Sequence, residues 1–419
     1  MSIASINLES LANTRLTSAF KGMPLWAEGA TVQEFLDTKP NIFTSSFQFP
    51  IGILRKSAID NNLHRMAEYC LEVNASIAPH VKTTMAPQIA QMQIANGAWA
   101  LTVANFAQAR VFLDFGFRQI IIANEIVDQN AIRAIALKNL EADTEIIFYV
   151  DSIPGLEIIQ KALDGAPDGR IHLLFEIGLH GGRGGIRNIG DVLPLAKRVS
   201  QDSRLVIRGV SGFEGSVPGG DRSIEGISKI REFCKMIVAA AKMLAPYVKT
   251  EKIIITAGGS AYFDIVAEEF SKYGAGSHLI LRSGGYISHD HGLYEGIYPF
   301  THQALNKRFL PAIEVWAQVL TQPEPGLAIL NLGKRDVGND LDNPYPIKKY
   351  REKIDVLTGT INSLNDQHGY LSYPEDEDIA AADIIGLGIS HPCTTFDKWR
   401  LMPLVNDDYD VVELIHTFF

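Results

Sequence analysis

Cysteine is scarce. Cys70, Cys234 and Cys393 are the only three in 419 residues. They are too few and too scattered for a disulfide framework, which predicts a reducing compartment. Long apolar runs are missing too. No window approaches the roughly 20 residues of a membrane-spanning helix, and Met1 to Arg15 is polar, without the apolar stretch of a secretory leader. No long basic run occurs and the net charge is −10, which argues against nucleic acid as a partner. There is no Gly-x-Gly-x-x-Gly after the first regular strand, which argues against a dinucleotide fold. Internal repeats and low-complexity segments are also missing. A cytoplasmic protein acting on a small molecule is the expectation.

What is there is regular. With 46% hydrophobic and 21% charged residues, the chain can build two domains or one large barrel plus an appendage. Short apolar runs recur at 76–79, 99–103, 119–123, 145–150, 171–177, 205–210, 252–256 and 278–281. Helical spacing lies between them, as at Ala86–Ala95 and Ile227–Leu244. Eight such units predict an α/β fold, a closed parallel (β/α)8 barrel over 49–304. A doubly wound sheet would alternate in the same way. From about 305 to 419 the runs shorten (313–319, 327–332, 369–373, 384–387, 411–414) and the helical spacing fades, which predicts an all-β domain. Residues 50–55 read as one more strand, followed by a helix at Ile59–Cys70, and 1–48 as a mixed N-terminal segment. The acidic run Glu375 to Asp378 reads as a solvated loop.

In such barrels chemistry collects at the C-terminal strand ends. The first end carries His80 and Lys82, in Pro79-His-Val-Lys-Thr-Thr84. A lysine where a buried strand runs out can be partly desolvated, which frees its amine for Schiff-base chemistry, although most such lysines are solvated caps. The later ends carry Asn105, Asn124-Glu125, Asp151, Glu176, Glu214, Ala257-Gly-Gly-Ser260 and Arg282-Ser-Gly-Gly-Tyr286. Two glycine turns at neighbouring late strand ends suit a phosphate, with Gly258, Gly259, Ser260, Gly284, Gly285 and Tyr286 as donors. Tight turns are the plain alternative. Arg183, among four glycines, is placed to stack on a planar ligand or pair with a carboxylate, or is an incidental loop charge. His391 and Cys393, two apart on a segment read as extended, project to one side and suit zinc; a buried core cysteine is the alternative. His289 and His291 form a weaker candidate pair.

Five segments together resemble a known family: Ala78–Pro87, Gly97–Ala104, Gly181–Arg187, Gly333–Asp336 and Ser390–Thr395. They are similar to fold-type III pyridoxal-phosphate enzymes, in the D-serine dehydratase and D-threonine aldolase branch that includes bacterial amino-acid deaminases. The resemblance runs from about residue 50 to the end. It implies an alanine-racemase-like barrel followed by a β domain, assembled as a homodimer. It implies that Lys82 carries pyridoxal phosphate as a Schiff base, that the late glycine turns hold the phosphate, and that Arg282 meets the pyridine nitrogen. It implies that His391 and Cys393 bind a divalent metal, zinc in first place. Aspartate tends to take the second ligand position in the aldolase branch, so Cys393 tilts the chain toward elimination from a β-hydroxy D-amino acid. Retro-aldol cleavage, racemisation and a non-enzymatic cofactor carrier are the alternatives.

Overall fold

The structure, a computed structural model, describes residues 6–419. It divides into two compact units. One is built mainly from 66–82 and 90–284, the other from 7–65, 83–89 and 285–419. The chain passes between the units more often than the run lengths suggest. One early strand, β1 (Ile51–Arg55), belongs to the second unit.

The first unit holds eight parallel strands: β2 (Ser76–Ile77), β3 (Leu101–Val103), β4 (Gln119–Glu125), β5 (Glu145–Val150), β6 (Ile171–Ile177), β7 (Leu205–Gly212), β8 (Ile253–Ala257) and β9 (Ser277–Leu281). Their order is β2-β9-β8-β7-β6-β5-β4-β3. Between β3 and β2 the ring is completed by Trp99 N–H to the Ile77 carbonyl (2.8 Å), Thr102 N–H to the Pro79 carbonyl (2.9 Å) and a parallel bridge from His80 to Thr102. Regular pairing of β2 stops at Ile77, short of the expected residue 79, and Pro79 has no N–H to donate to a ladder. The helices begin where side chains accept orphan N–H groups: Asn105 ahead of Phe106–Asp114, Asp128 ahead of Gln129–Lys138, Ser152 ahead of Ile153–Leu163, Ser223 ahead of Ile224–Leu244. The longest of them buries Ile230, Phe233, Cys234, Ile237, Ala241 and Leu244, at three- and four-residue spacing. Inside the ring, Ala78, Ala100, Ile121, Ile147, Tyr149, Leu174, Ile254 and Ile280 form one buried cluster. The barrel is therefore packed rather than hollow, and each aliphatic of Leu or Ile size contributes about 1.5–3 kcal/mol by leaving water.

The second unit is a sheet of β10 (Ile313–Glu324), β11 (Leu327–Leu330), β12 (Tyr345–Tyr350), β13 (Ile354–Val356), β14 (Thr360–Leu364), β15 (Gly369–Ser372), β16 (Ile384–Gly388), β17 (Leu401–Val405) and β18 (Val411–His416), together with β1. The main path runs β13-β12-β16-β10-β1-β17-β18. β1 lies antiparallel to β10 (Ile53 opposite Glu314) and parallel to β17. The N-terminal segment packs onto this unit. Phe43 stacks on Tyr350 at 4.0 Å and meets Trp316 edge-on at 4.9 Å. Thr31 and Glu34 form a capping box on the helix Val32–Asp37.

Candidate active site

In the first unit, His80 and Lys82 follow β2, with Lys82 in a 3-10 turn, Val81–Thr83. Lys82 is exposed rather than partly buried as the strand-end reading expected, while Val81 and Thr83 on either side of it are buried. The His80 imidazole is held well below its ordinary pKa, first by burial and then by the charges of Lys82, Arg282 and, more weakly, Arg183. It is therefore neutral, and its buried Nδ1 has no hydrogen-bond partner. The same field shows that His80, Lys82, Arg282 and Arg183 share one end of the barrel. Arg282 is almost fully buried. Its guanidinium donates to Thr256 Oγ1 and to the Gly212 carbonyl, both at 2.8 Å, and sits 5.9 Å from the Tyr149 ring centre. Arg183 lies over the ring of Phe213 at 4.7 Å.

Carboxyl groups ring this end. Glu125 closes β4 and Glu176 nears the end of β6, and they hydrogen-bond to each other. Burial, then the neighbouring charge of Glu125, pushes Glu176 up to about 8. Burial also raises Glu125. Asp151 accepts the Gly185 N–H at 3.0 Å. Beyond β7, the buried Glu214 accepts the N–H groups of Gly258 (3.0 Å) and Gly259 (2.5 Å). Gly258 has φ +97°, which favours glycine. The first glycine turn is thus a nest of convergent donors, and the group it holds is a carboxyl of the protein whose pKa is pushed up by burial. Ser260 is half-buried beside it. At the next strand end, a Cβ on Gly284 would collide with the His80 carbonyl, so this glycine lets the turn close on the lysine loop.

Gly285 and Tyr286 begin a 3-10 turn of the second unit, where Tyr286 is buried near Phe309. His391 and Cys393 do not lie on an extended strand. β16 ends at Gly388, and Pro392 turns the chain into the short helix Cys393–Phe396. The turn nevertheless keeps the pair together, with His391 hydrogen-bonded to Cys393. That bond, and next the one to Asp340, lift the imidazole to about 9 against the opposing effect of burial. His391 Nδ1 is 2.7 Å from Asp340 Oδ2, and the Thr394 hydroxyl donates to Asp340 Oδ1 at 2.6 Å. Cys393 Sγ lies 3.5 Å from the hydroxyl of the buried Thr83. His289 and His291 take separate partners. His289 Nε2 meets Glu295 at 2.9 Å, while His291 packs its buried ring against Gly388 and is lowered to about 4 by that burial.

Glu176 and Glu214 stand in strand ends that the sequence marks, but their pairing partners come from other strands. Asp340 had no signal in the sequence, being 51 residues from His391.

The donor set fits pyridoxal phosphate in its amine on Lys82, its neutral imidazole with an unpaired buried nitrogen and its fixed guanidinium, whereas the N–H groups of Gly258 and Gly259, expected to hold the phosphate, are taken by Glu214. It also fits a divalent metal held by two protein ligands, an imidazole beside a thiol. Among the described residues no cluster of three or more His, Cys, Asp or Glu could hold a metal.

The model described as "Alanine racemase, N-terminal domain" matches residues 54–260, and that described as "Putative serine dehydratase domain" matches 312–405. The chain belongs to the fold-type III pyridoxal-phosphate enzymes. A D-threonine aldolase of Arthrobacter sp is 24% identical to this fold-type III chain over 366 residues, covering 85% of it and 89% of the aldolase. The crystal structure of a D-threonine aldolase from Filomicrobium marinum superposes with a TM-score of 0.75 at 22% identity, covering 89% of this chain and 96% of the other. A D-threo-3-hydroxyaspartate dehydratase, solved as a cysteine-to-alanine mutant in the metal-free form, gives 0.73 at 19% identity, with 90% and 99% covered. These likenesses establish the alanine-racemase-like barrel followed by a β domain. No helix among the described residues is long and apolar enough to cross a membrane.

Proposed function

We propose that this enzyme is a lyase of D-amino acids that eliminates the β-hydroxyl of a substrate such as D-serine, giving a keto acid and ammonia. Relatives named as D-threonine aldolase and D-threo-3-hydroxyaspartate dehydratase support the D-amino-acid lyase class. The observation that carries the elimination reading is Cys393 Sγ, hydrogen-bonded to His391 and 3.5 Å from Thr83, the residue after Lys82. A soft thiolate ligand beside an imidazole favours zinc.

Pyridoxal phosphate on Lys82 would supply the electron sink for charge developing at the substrate α-carbon. A divalent ion on His391 and Cys393 would supply a Lewis acid for the departing hydroxyl. The remaining work falls to the chain. Lys82 Nζ would accept the α-proton of the substrate. Arg282 cannot move that proton, since a guanidinium stays charged; held by Thr256 and the Gly212 carbonyl, it would serve as a fixed positive group for the cofactor. Neutral His80 adds no further charge. Ser260 and Gly284 of the first unit are the phosphate donors in this reading, with Gly258 and Gly259 held in shape by Glu214. A homodimer is part of the same proposal.

Incubation of the purified enzyme with D-serine, D-threonine and D-threo-3-hydroxyaspartate, with and without zinc, tests the reading. Ammonia with an equal amount of keto acid supports it. Glycine with an aldehyde would assign retro-aldol cleavage instead, and inversion without bond cleavage a racemase.

A further inference from the structure

The loop that follows β11 carries Val337-Gly-Asn-Asp340 and rests on the start of the short helix at Cys393. Two hydrogen bonds hold it there. The Trp399 indole N–H donates to the Asp336 carbonyl at 2.8 Å. The Gly338 N–H donates to the Thr395 hydroxyl at 3.0 Å, and that hydroxyl in turn donates to the His391 carbonyl at 3.1 Å. A Cβ on Gly338 would collide with Thr394 Oγ1, so only glycine allows this approach. The loop thereby delivers Asp340 to the imidazole of His391, Oδ2 to Nδ1 at 2.7 Å, while Thr394 holds the other carboxylate oxygen at 2.6 Å.

An imidazole has two nitrogens, and whatever binds one decides what the other presents. When the ring is neutral and its Nδ1–H is donated to a carboxylate, the lone pair sits on Nε2 and its direction is fixed. We infer that Asp340, locked by Thr394, is a positioning residue that orients His391 Nε2 and makes it a stronger donor to a divalent ion. This rests on the reading that His391 and Cys393 are the metal ligands. Asp340 itself is not a ligand, because its carboxylate is engaged on the side of the ring away from Nε2.

Zinc dissociation constants of the full-length protein, measured by competition with a chromophoric chelator, test the inference without reference to turnover. The variants are Asp340→Ala, Asp340→Asn, Thr394→Val and His391→Ala. Asp340→Ala is expected to weaken zinc binding about 10- to 100-fold. Asp340→Asn, whose amide oxygen still accepts from Nδ1–H, should recover part of that loss, and Thr394→Val should cost less than Asp340→Ala. The visible absorbance of bound pyridoxal phosphate should be unchanged in all four, which reports an intact fold. If His391→Ala leaves zinc affinity intact, the ligand assignment itself falls. If His391→Ala weakens binding but Asp340→Ala does not, the positioning role is overturned. Equal losses in Asp340→Asn and Asp340→Ala would overturn it in favour of direct ligation.

Discussion

The sulfur of Cys393 lies 3.5 Å from the hydroxyl oxygen of Thr83. Thr83 follows Lys82 in the chain, so the residue proposed to carry the cofactor has its immediate neighbour on the thiol proposed to carry the metal. A sulfur ligand selects soft ions, whereas a carboxylate in its place selects hard ones. Cys393→Asp is therefore expected to lower zinc-supported turnover and to raise the share supported by manganese. Activity of the metal-stripped protein, reconstituted with each ion, is the measurement. An unchanged ion preference would count against Cys393 as a ligand.

Removing the amine of Lys82 removes both the attachment point and the proposed proton acceptor. Lys82→Ala should lose the visible absorbance of lysine-bound pyridoxal phosphate and at least about a thousandfold in kcat. Borohydride reduction of the wild-type protein followed by peptide mapping should place the label on residue 82. A label elsewhere would end the assignment.

Stripping the metal separates the two halves of the chemistry. Dialysis against a chelator should stop ammonia release while the visible absorbance of the cofactor remains, and added zinc should restore turnover. Full turnover after confirmed metal loss would take the ion out of the mechanism.

Glu176 is raised to about 8 by burial and by Glu125. A carboxyl that binds its proton more tightly in the folded state adds stability at low pH. That stability is present below about 4.5 and is lost as the pH rises through about 8. Glu176→Gln mimics the protonated form. Its melting temperature should match wild type near pH 4.5 and exceed it by a few degrees at pH 9. Parallel pH profiles for the two proteins would contradict the assignment.

Glu214 satisfies two backbone N–H groups from inside the protein. Glu214→Ala leaves both without their acceptor, at a cost of about 2–4 kcal/mol in a denaturant titration. The turn should also loosen its hold on the cofactor, seen as faster loss of visible absorbance on dialysis. Loss of stability without faster cofactor loss would confine Glu214 to a structural role.

The eight barrel strands are legible in the sequence because strands buried on both faces read as continuous apolar runs, and the helices between them read as amphipathic. The β domain is less so. β12 carries Pro346, Lys348 and Lys349 and does not look like a strand, yet Lys348 is paired with Glu314 at 2.8 Å and Lys349 with Glu377 at 2.8 Å. Those partners come from distant positions that no local window contains. β14, Thr-Ile-Asn-Ser-Leu, is polar at most of its exposed positions and fades for the same reason. At the site, Lys82, His391 and Cys393 stand out by residue type and local motif. The reason given for the last two was mistaken in its geometry, since Pro392 makes a turn where alternation along a strand was expected. Asp340 is invisible because a glycine-dependent loop contact, not spacing, brings it to His391.

β1 pairs on one side with β10 and on the other with β17. A strand that leaves the ribosome early must therefore wait, unpaired, for neighbours encoded near the far end of the message. At about 5–20 residues per second that delay is on the order of tens of seconds. Translation products that stop short of residue 401 lack one of its two neighbours, so one edge of β1 in the second unit is left unpaired.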